Sequence, residues 1–439
     1  MTTDTRRLRI ETSPAASRSY ADPVHAPLRG AVARALARRM ARLVDVRIVL
    51  PDGTSITPPL PGLVQAPDRH APERQAGAPD DLPTMGIYSW AFFDRVGLDA
   101  KIGIGEGFMA REWSPAPGTD LADLLTPFAA RLGELVPPAL ARFRRLAEPR
   151  HPRHHRGDRD GAATNIAHHY DLSNAVFATF LDPTMSYSAA RFAQEDPPGF
   201  AGLEPAQRRK IDSVLDDAGV GPGTRLLEIG SGWGQLAIQA AQRGAHVHTI
   251  TLSEQQRELA TERIAAAGLT DQVRVELLDY RDIEETYDAV VSVEMIEAVG
   301  YDYWPDYFAT LARAVAPGGA IALQAITMPH GRMLASRHAF GWIQKYIFPG
   351  GLIPSVEAIE RNAAAAGLQV TSSRSLRADY ARTLRLWRER FVAEREHVLH
   401  LGFDLDFLRV WEFYLAYSEA GFRSGHLDVR QLRLVRQTS

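Results

Sequence analysis

The fold class predicted is a parallel, doubly wound α/β sheet preceded by a smaller α+β domain. Three observations predict it. From Ala206 to Ile326, short apolar strands alternate with amphipathic helices, the pattern of successive βα units. The first of these strands, Thr224–Ile229, runs into the glycine-rich turn Gly230-Ser231-Gly232-Trp233-Gly234. A Pro- and charge-rich break at 148–161 separates this region from residues 29–147, where short strands and helices mix. A length of 439 residues suits two such domains, each large enough to bury a core.

In chain order, residues 1–28 are rich in Thr, Ser, Pro and Arg and have no apolar core segment. They read as a disordered tail, neither signal peptide nor anchor. Val32, Leu36, Met40 and Leu43 recur at helical spacing opposite Arg34, Arg38 and Arg42, which predicts a basic amphipathic helix over 29–44. Such a helix docks on its own domain or lies on an anionic membrane. A hairpin follows, turning at Pro51-Asp52-Gly53, and then a long loop over 66–83. A strand is expected over Ile87–Val96, a short helix after Ile102–Gly105, and a helix over Leu121–Leu146. Residues 29–147 thus form an accessory domain, 148–163 a linker and 164–439 the catalytic domain. The linker histidines His151, His154 and His155 fit no closed metal-ligand set, so no metal is expected; Arg150, Arg153 and Arg156 offer a basic contact for phosphates.

In the second domain, helices are expected at 206–218, 235–243, 254–267 and 303–315, and strands at 224–229, 245–251, 273–278, 287–293 and 320–326. Ligands bind at the carboxyl ends of such strands, near the point where the strand order reverses. Segment 330–352, ending in Gly350-Gly351, reads as a lid over a tunnel or as a packed crossover. Helices at 381–400 and 405–420 would close its other wall.

Composition excludes several functions. There is no cysteine, hence no thiol nucleophile, thiolate metal site or redox pair. With 50 basic and 53 acidic side chains, a formal charge of −3 does not describe a nucleic-acid binder. No segment reaches the roughly 18 uncharged apolar residues of a membrane span. The glycine turn has the spacing GxGxG, not the dinucleotide GxGxxG. The second strand ends in Thr251, Leu252 and, beyond them, Gln256, in place of a terminal acid; Tyr280 and Arg281 follow the third strand beside Asp279. An aromatic ring and a carboxylate there suit an adenine.

These segments resemble the S-adenosylmethionine (SAM) methyltransferases, and more closely the cyclopropane-fatty-acyl-phospholipid synthase family, with its actinobacterial 10-methylene-forming subgroup. The resemblance rests on His169–Asn174, Phe180–Ser188, Glu228–Gly234, Thr251–Gln256, Asp279–Asp282, Glu294–Gly300 and Tyr380 with Thr383, Leu384 and Trp387. It covers about residues 164–439 and implies a class I methyltransferase sheet, Rossmann-like, with SAM held by Tyr187, Ser188, Glu228, Gly230, Gly232, Thr251, Leu252, Gln256, Tyr280 and Arg281. It also implies a bound bicarbonate as base, set against Glu297, Tyr380, Gln324 and the backbone at Ala189 and Ile326. Glu297 has a structural alternative, a helix N-terminal carboxylate satisfied by amides. Two positions depart from the family's usual pattern: Ala189 stands where it has Cys, and Gln324 where it has His, which leaves an amide that cannot titrate.

The implied reaction is methyl transfer to the double bond of an oleoyl-type phospholipid chain, through a carbocation. Loss of a proton then gives a 10-methylene chain or, at the same double bond, a cyclopropane ring; the run 324–351 favours methylene. Alternatives are a SAM methyltransferase for a small O- or N-nucleophile, and an inactive SAM- or lipid-binding module. The resemblance further suggests a cytoplasmic protein peripheral on the membrane, a homodimer through the N-terminal domain, and a reductase acting on a methylene product.

Overall fold

The computed structural model describes residues 27–58, 82–131, 173–337 and 339–437. These fall into two compact units, 27–131 with 402–424, and 173–401 with 425–437. The tail 1–26, most of the 66–83 loop, the helix expected beyond Arg131, the linker with its Arg and His residues, and the His169–Leu172 motif lie outside the described residues.

The first unit opens with helix α1 (Pro27–Val44) and a four-stranded sheet in the order β2-β1-β3-β4: β1 (Arg47–Val49), β2 (Ser55–Ile56), β3 (Thr84–Ile87) and β4 (Trp113–Pro115). Gly53, at φ +79°, closes the expected hairpin between β1 and β2. The buried face of α1 keeps Met40 of the expected stripe but not Val32. Ala33, Ala37, Met40, Ala41 and Val44 are buried, while Val32 is 66% exposed. Alanines one turn apart let the helix backbone approach the hairpin closely.

The strand expected over 87–96 ends at Ile87. Ser89 starts a turn, its hydroxyl accepting from Ala91 N and its carbonyl from Phe92 N, and α2 (Ala91–Leu98) buries Phe92 and Phe93. Asp99 caps α3 (Ala100–Met109). That helix lies so close to α2 that a Cβ on Gly103 would sit 2.7 Å from the Arg95 carbonyl oxygen. Helix α4 (Leu121–Ala130) packs with the helix Leu405–Arg423, which buries Phe407, Trp411, Phe413 and Tyr414 inside this unit. The helix expected over 405–420 as a tunnel wall of the catalytic domain lies in this unit. Its aromatic face instead completes the N-terminal core, with Phe413 5.4 Å from Phe108.

The second unit is a seven-stranded sheet in the order β10-β11-β9-β8-β5-β6-β7. Its strands are β5 (Arg225–Ile229), β6 (His246–Thr251), β7 (Val273–Leu277), β8 (Tyr287–Val293), β9 (Val315–Thr327), β10 (Leu368–Ser375) and β11 (Asp428–Arg436). From β9 to β7 all neighbours are parallel; β11 runs antiparallel to both β9 and β10. This is the predicted doubly wound class, extended by two strands. Helices α6 (Leu203–Ala218) and α7 (Gln235–Gln242) cover one face; α9 (Trp304–Ala314) covers the other with Trp304, Tyr307, Phe308 and Leu311. Helices α5 (Asn174–Phe180) and α8 (Glu254–Ala266) lie near the glycine turn, and the helix Val356–Ala365 packs beside α9. The chain leaves β5 towards β6 and β7 on one side and returns to β8 and β9 on the other, so the strand order reverses between β5 and β8. Their carboxyl ends form the crevice where such sheets bind ligands.

Segment 330–352 is a packed crossover. Met333, Trp342, Ile347 and Leu352 are buried, and Leu352 N donates to the Glu297 carbonyl at 2.8 Å.

Candidate active site

At the end of β5 the backbone turns through three positive-φ glycines, with Gly230 at +97° and Gly232 at +49°. A Cβ on Gly230 would lie 2.6 Å from Met295 Cγ, so the β5 and β8 ends meet only because no side chain intervenes. A Cβ on Gly232 would meet nothing within 4 Å, leaving backbone open to a ligand. Beside it Glu228 is buried. Its Oε2 has no partner among the described residues, and burial pushes its carboxyl up to about 8. An orphaned polar atom of a buried carboxyl beside an open glycine turn fits a polar ligand such as SAM.

The segment carrying Tyr187, Ser188 and Ala189 is held from two sides. Arg263 on α8 donates to the carbonyls of Pro183, Thr184 and Trp233 and to Gln235 Oε1, tying this segment to the glycine turn. On the other side, Ala190 N donates to Thr383 Oγ1 and Phe192 N to Asp379 Oδ1, both on the helix Arg377–Ala393. Tyr187 stacks on Trp387 of that helix, with centroids 5.2 Å apart and planes at 27°. Phe180 and Tyr380 meet the same indole edge-on, at 6.1 Å each. The Ser188 hydroxyl accepts from Lys210 Nζ at 2.6 Å. Lys210 is buried, and burial pulls its ammonium down to about 8 against the opposing pull of Glu294, Asp182 and Glu228.

The remaining cofactor candidates form the second and third strand ends. Thr251 Oγ1 donates to Gln256 Oε1 at 2.9 Å, which folds the Leu252 turn onto α8. Tyr280 packs edge-on against Tyr307, and burial pushes its hydroxyl up to about 12. The Arg281 guanidinium is turned back onto Asp279 in a two-point pair of 2.8 and 2.6 Å, so it builds the turn.

The predicted catalytic group comes together differently from the expectation. Glu297 Oε1 accepts from Ile326 N at 2.5 Å, while its buried Oε2 has no partner among the described residues. Burial, reinforced by the charge of Glu294, pushes Glu297 up to about 8, so it is protonated near neutrality. Ala189, Gln324 and Tyr380 do not converge with Glu297. They converge on Glu294: Ala189 N donates to its Oε1 at 2.9 Å, Gln324 Nε2 to the same oxygen at 2.8 Å, and Tyr380 OH to Oε2 at 3.0 Å. Burial raises Glu294 as well, and these donors oppose the rise. The donor set that the family resemblance assigns to bicarbonate is therefore filled by a carboxylate of the chain itself.

Gln324 is held by a second amide. Gln431 Nε2 donates to Gln324 Oε1 at 3.0 Å from the facing position on β11, and Gln431 Oε1 accepts from Ser213 and Arg374. Glu294, Lys210 and Gln431 were absent from the predicted site. The signal for Glu294 was present, since it directly follows the strand that faces the ligand edge. No sequence pattern marks Gln431, which acts across a register between strands.

The family described as mycolic acid cyclopropane synthetase matches residues 158–432. The tuberculostearic acid methyltransferase UfaA1 of Mycobacterium tuberculosis is 50% identical over 411 residues, covering 93% of this chain and 91% of the relative. A probable fatty acid methyltransferase of Pseudomonas putida is 38% identical over 287 residues, 64% of this chain and 71% of the relative. Among solved structures, the cyclopropane synthase MmaA2 of Mycobacterium tuberculosis aligns at 33% identity and a TM-score of 0.57, over 62% of this chain and 97% of its own. Mycolic acid cyclopropane synthase CmaA1 complexed with SAH and CTAB aligns at 31% and 0.57, with the same coverage.

Proposed function

The chain belongs to the mycolic acid cyclopropane synthetase family, and from that premise we propose that it methylates the double bond of an oleoyl-type phospholipid chain and releases a 10-methylene acyl chain. It is a SAM-dependent fatty-acid methyltransferase with the class I methyltransferase fold. The observation that carries the choice of product is 50% identity along 93% of the chain to a tuberculostearic acid methyltransferase. Tuberculostearic acid is a saturated chain with a methyl branch at carbon 10. Adding a methyl cation to an alkene and removing a proton is redox-neutral and leaves an alkene. A methylene chain is therefore the product that a later reductase would convert to the saturated branch.

SAM, when bound, supplies an electrophilic methyl group on a sulfonium. Gly230, Gly232, Glu228 and the Thr251–Gln256 turn are the groups that would hold it. The chain's own residues do the rest. The faces of Tyr187, Tyr380 and Trp387 offer π density to a cationic acyl chain, and their packing keeps water, which would trap the cation as an alcohol, away from it. Bicarbonate does not fit this donor set, which Glu294 already fills.

No described helix is long and apolar enough to cross a membrane. The phospholipid acceptor, a peripheral position on the cytoplasmic membrane face, a homodimer and a partner reductase are part of the same proposal. The test is incubation of the purified protein with SAM and dioleoyl phospholipid vesicles, followed by mass spectrometry and NMR. A gain of one CH2 with vinylidene protons supports the proposal. Ring protons would assign cyclopropane instead, and no gain despite SAM binding would overturn it.

A further inference from the structure

We propose that Glu294 is the catalytic base of this enzyme, its carboxylate taking the proton that leaves the methylated acyl cation. The proposal rests on the alkene-methylation reading above and adds to it the identity of the base. Glu294 follows β8 at the crevice between β5 and β8, and its neighbour Met295 packs on the glycine turn. Its two oxygens accept from three groups on three separate elements: a backbone N–H of the 183–192 segment, an amide on β9 and a hydroxyl on the helix Arg377–Ala393. Three donors on one carboxyl favour its ionised form and oppose the burial that raises its pKa. Oε1 takes two of these bonds and Oε2 only one, so Oε2 keeps a lone pair for an incoming proton.

The backbone supplies an independent sign. Glu294 has φ +53°, a left-handed conformation that glycine adopts freely and a glutamate adopts only at a cost of about 1–3 kcal/mol. A carboxylate held there against its conformational preference, and satisfied from three elements, is placed for use. The charges facing it agree. Lys210 from α6 lies within range of its field and bonds Ser188 instead, while Glu297, the other acid on the same turn, is neutral near pH 7. Glu294 thus stands as the acid that receives donors, with the Lys210 ammonium in its field and the Tyr380 hydroxyl, whose ring meets Trp387 edge-on, bonded to it.

The step balances without an added reactant. Methyl transfer leaves the cation on the neighbouring carbon, and a hydride moves from the methylated carbon to it. The electron pair of a methyl C–H bond then becomes the exocyclic C=C, and the proton passes to Glu294 Oε2 and afterwards to solvent. Closing a ring would use the same proton and the same acceptor before the hydride moves.

The experiment compares wild type with Glu294→Gln and Glu294→Gly on oleoyl phospholipid vesicles in carbonate-free buffer, with and without added bicarbonate. Wild type is expected to turn over equally in both. Glu294→Gln is expected to lose at least about 100-fold in turnover, the scale of a general base, with the SAM Kd within threefold. Glu294→Gly is expected to be inactive alone and to recover in part with bicarbonate or formate, an anion that the three vacated donors would accept. Replacing a merely structural glutamate would give no anion-dependent recovery of turnover. Stimulation of wild type several-fold by bicarbonate, or turnover by Glu294→Gly without added anion within tenfold of wild type, would overturn the assignment. Absence of any methylated product from wild type would overturn the alkene-methylation reading itself, so the two failures are distinct.

Discussion

Replacing Glu297 by Gln tests the electrostatics of the site through stability. The amide keeps an oxygen to accept from Ile326 N and places an uncharged group where the protonated Oε2 stands. In the unfolded chain this carboxyl titrates near 4.5, and in the fold near 8, raised first by burial and then by Glu294. A raised acid pKa means that the native state holds a proton the unfolded state has released. Its stabilising contribution is complete below pH 4.5 and is lost as pH rises through about 8. At roughly 1.36 kcal/mol per pKa unit the whole span is about 5 kcal/mol. The part between pH 6 and pH 8.5 is about 2.5 kcal/mol. Glu297→Gln has no such proton to lose. Urea unfolding of both proteins at a series of pH values, followed by tryptophan fluorescence, should show the variant gaining about 2.5 kcal/mol on wild type across that window. A stability difference that stays flat from pH 6 to 8.5 would refute the neutral, desolvated Glu297.

Three further outcomes follow from contacts already described. Tyr380→Phe removes a hydrogen bond to an ionised group, about 1.5–3 kcal/mol, so turnover should fall roughly 10- to 150-fold while calorimetry finds the SAM Kd unchanged within threefold. Arg263→Ala frees the Tyr187 segment from the glycine turn; the SAM Kd should rise at least about tenfold and the melting temperature should drop, since several buried carbonyls lose their donor. Gly103→Val drives a side chain into the Arg95 carbonyl and should destabilise the N-terminal unit by about 2 kcal/mol or more in thermal melts, leaving SAM binding by the folded protein intact.

The parallel sheet was legible because its strands are short apolar runs between amphipathic helices, a pattern set by burial on both faces. Strands β10 and β11 were not, because Arg430, Gln431 and Arg433 interrupt β11, and their partners (Asp428 in the same strand, Gln324 on β9 and the Asp217 carbonyl on α6) appear only in the fold. The α1 face was misplaced by weighing Val32 and Leu36 above alanines that pack more closely. The aromatic run 87–96 fits a strand and a helix equally by composition; the Ser89 turn decides it. In the site, motif order identified Glu294-Met295-Ile296-Glu297 as a unit and assigned the chemistry to Glu297. Which acid of that one-turn pair receives the donors depends on the left-handed φ of Glu294, which no spacing rule encodes.

Strand β11 follows every other strand in sequence yet lies between β10 and β9. During synthesis, then, the sheet holds an open slot until residues 428–436 leave the ribosome. Gln431, which orients the amide on Glu294, arrives with them. A chain stopped short of residue 428 would present two bare strand edges to the cell and would lack its amide clamp, so a nascent or truncated product should be both inactive and prone to aggregate. Methylation competence thereby waits on residues 428–436.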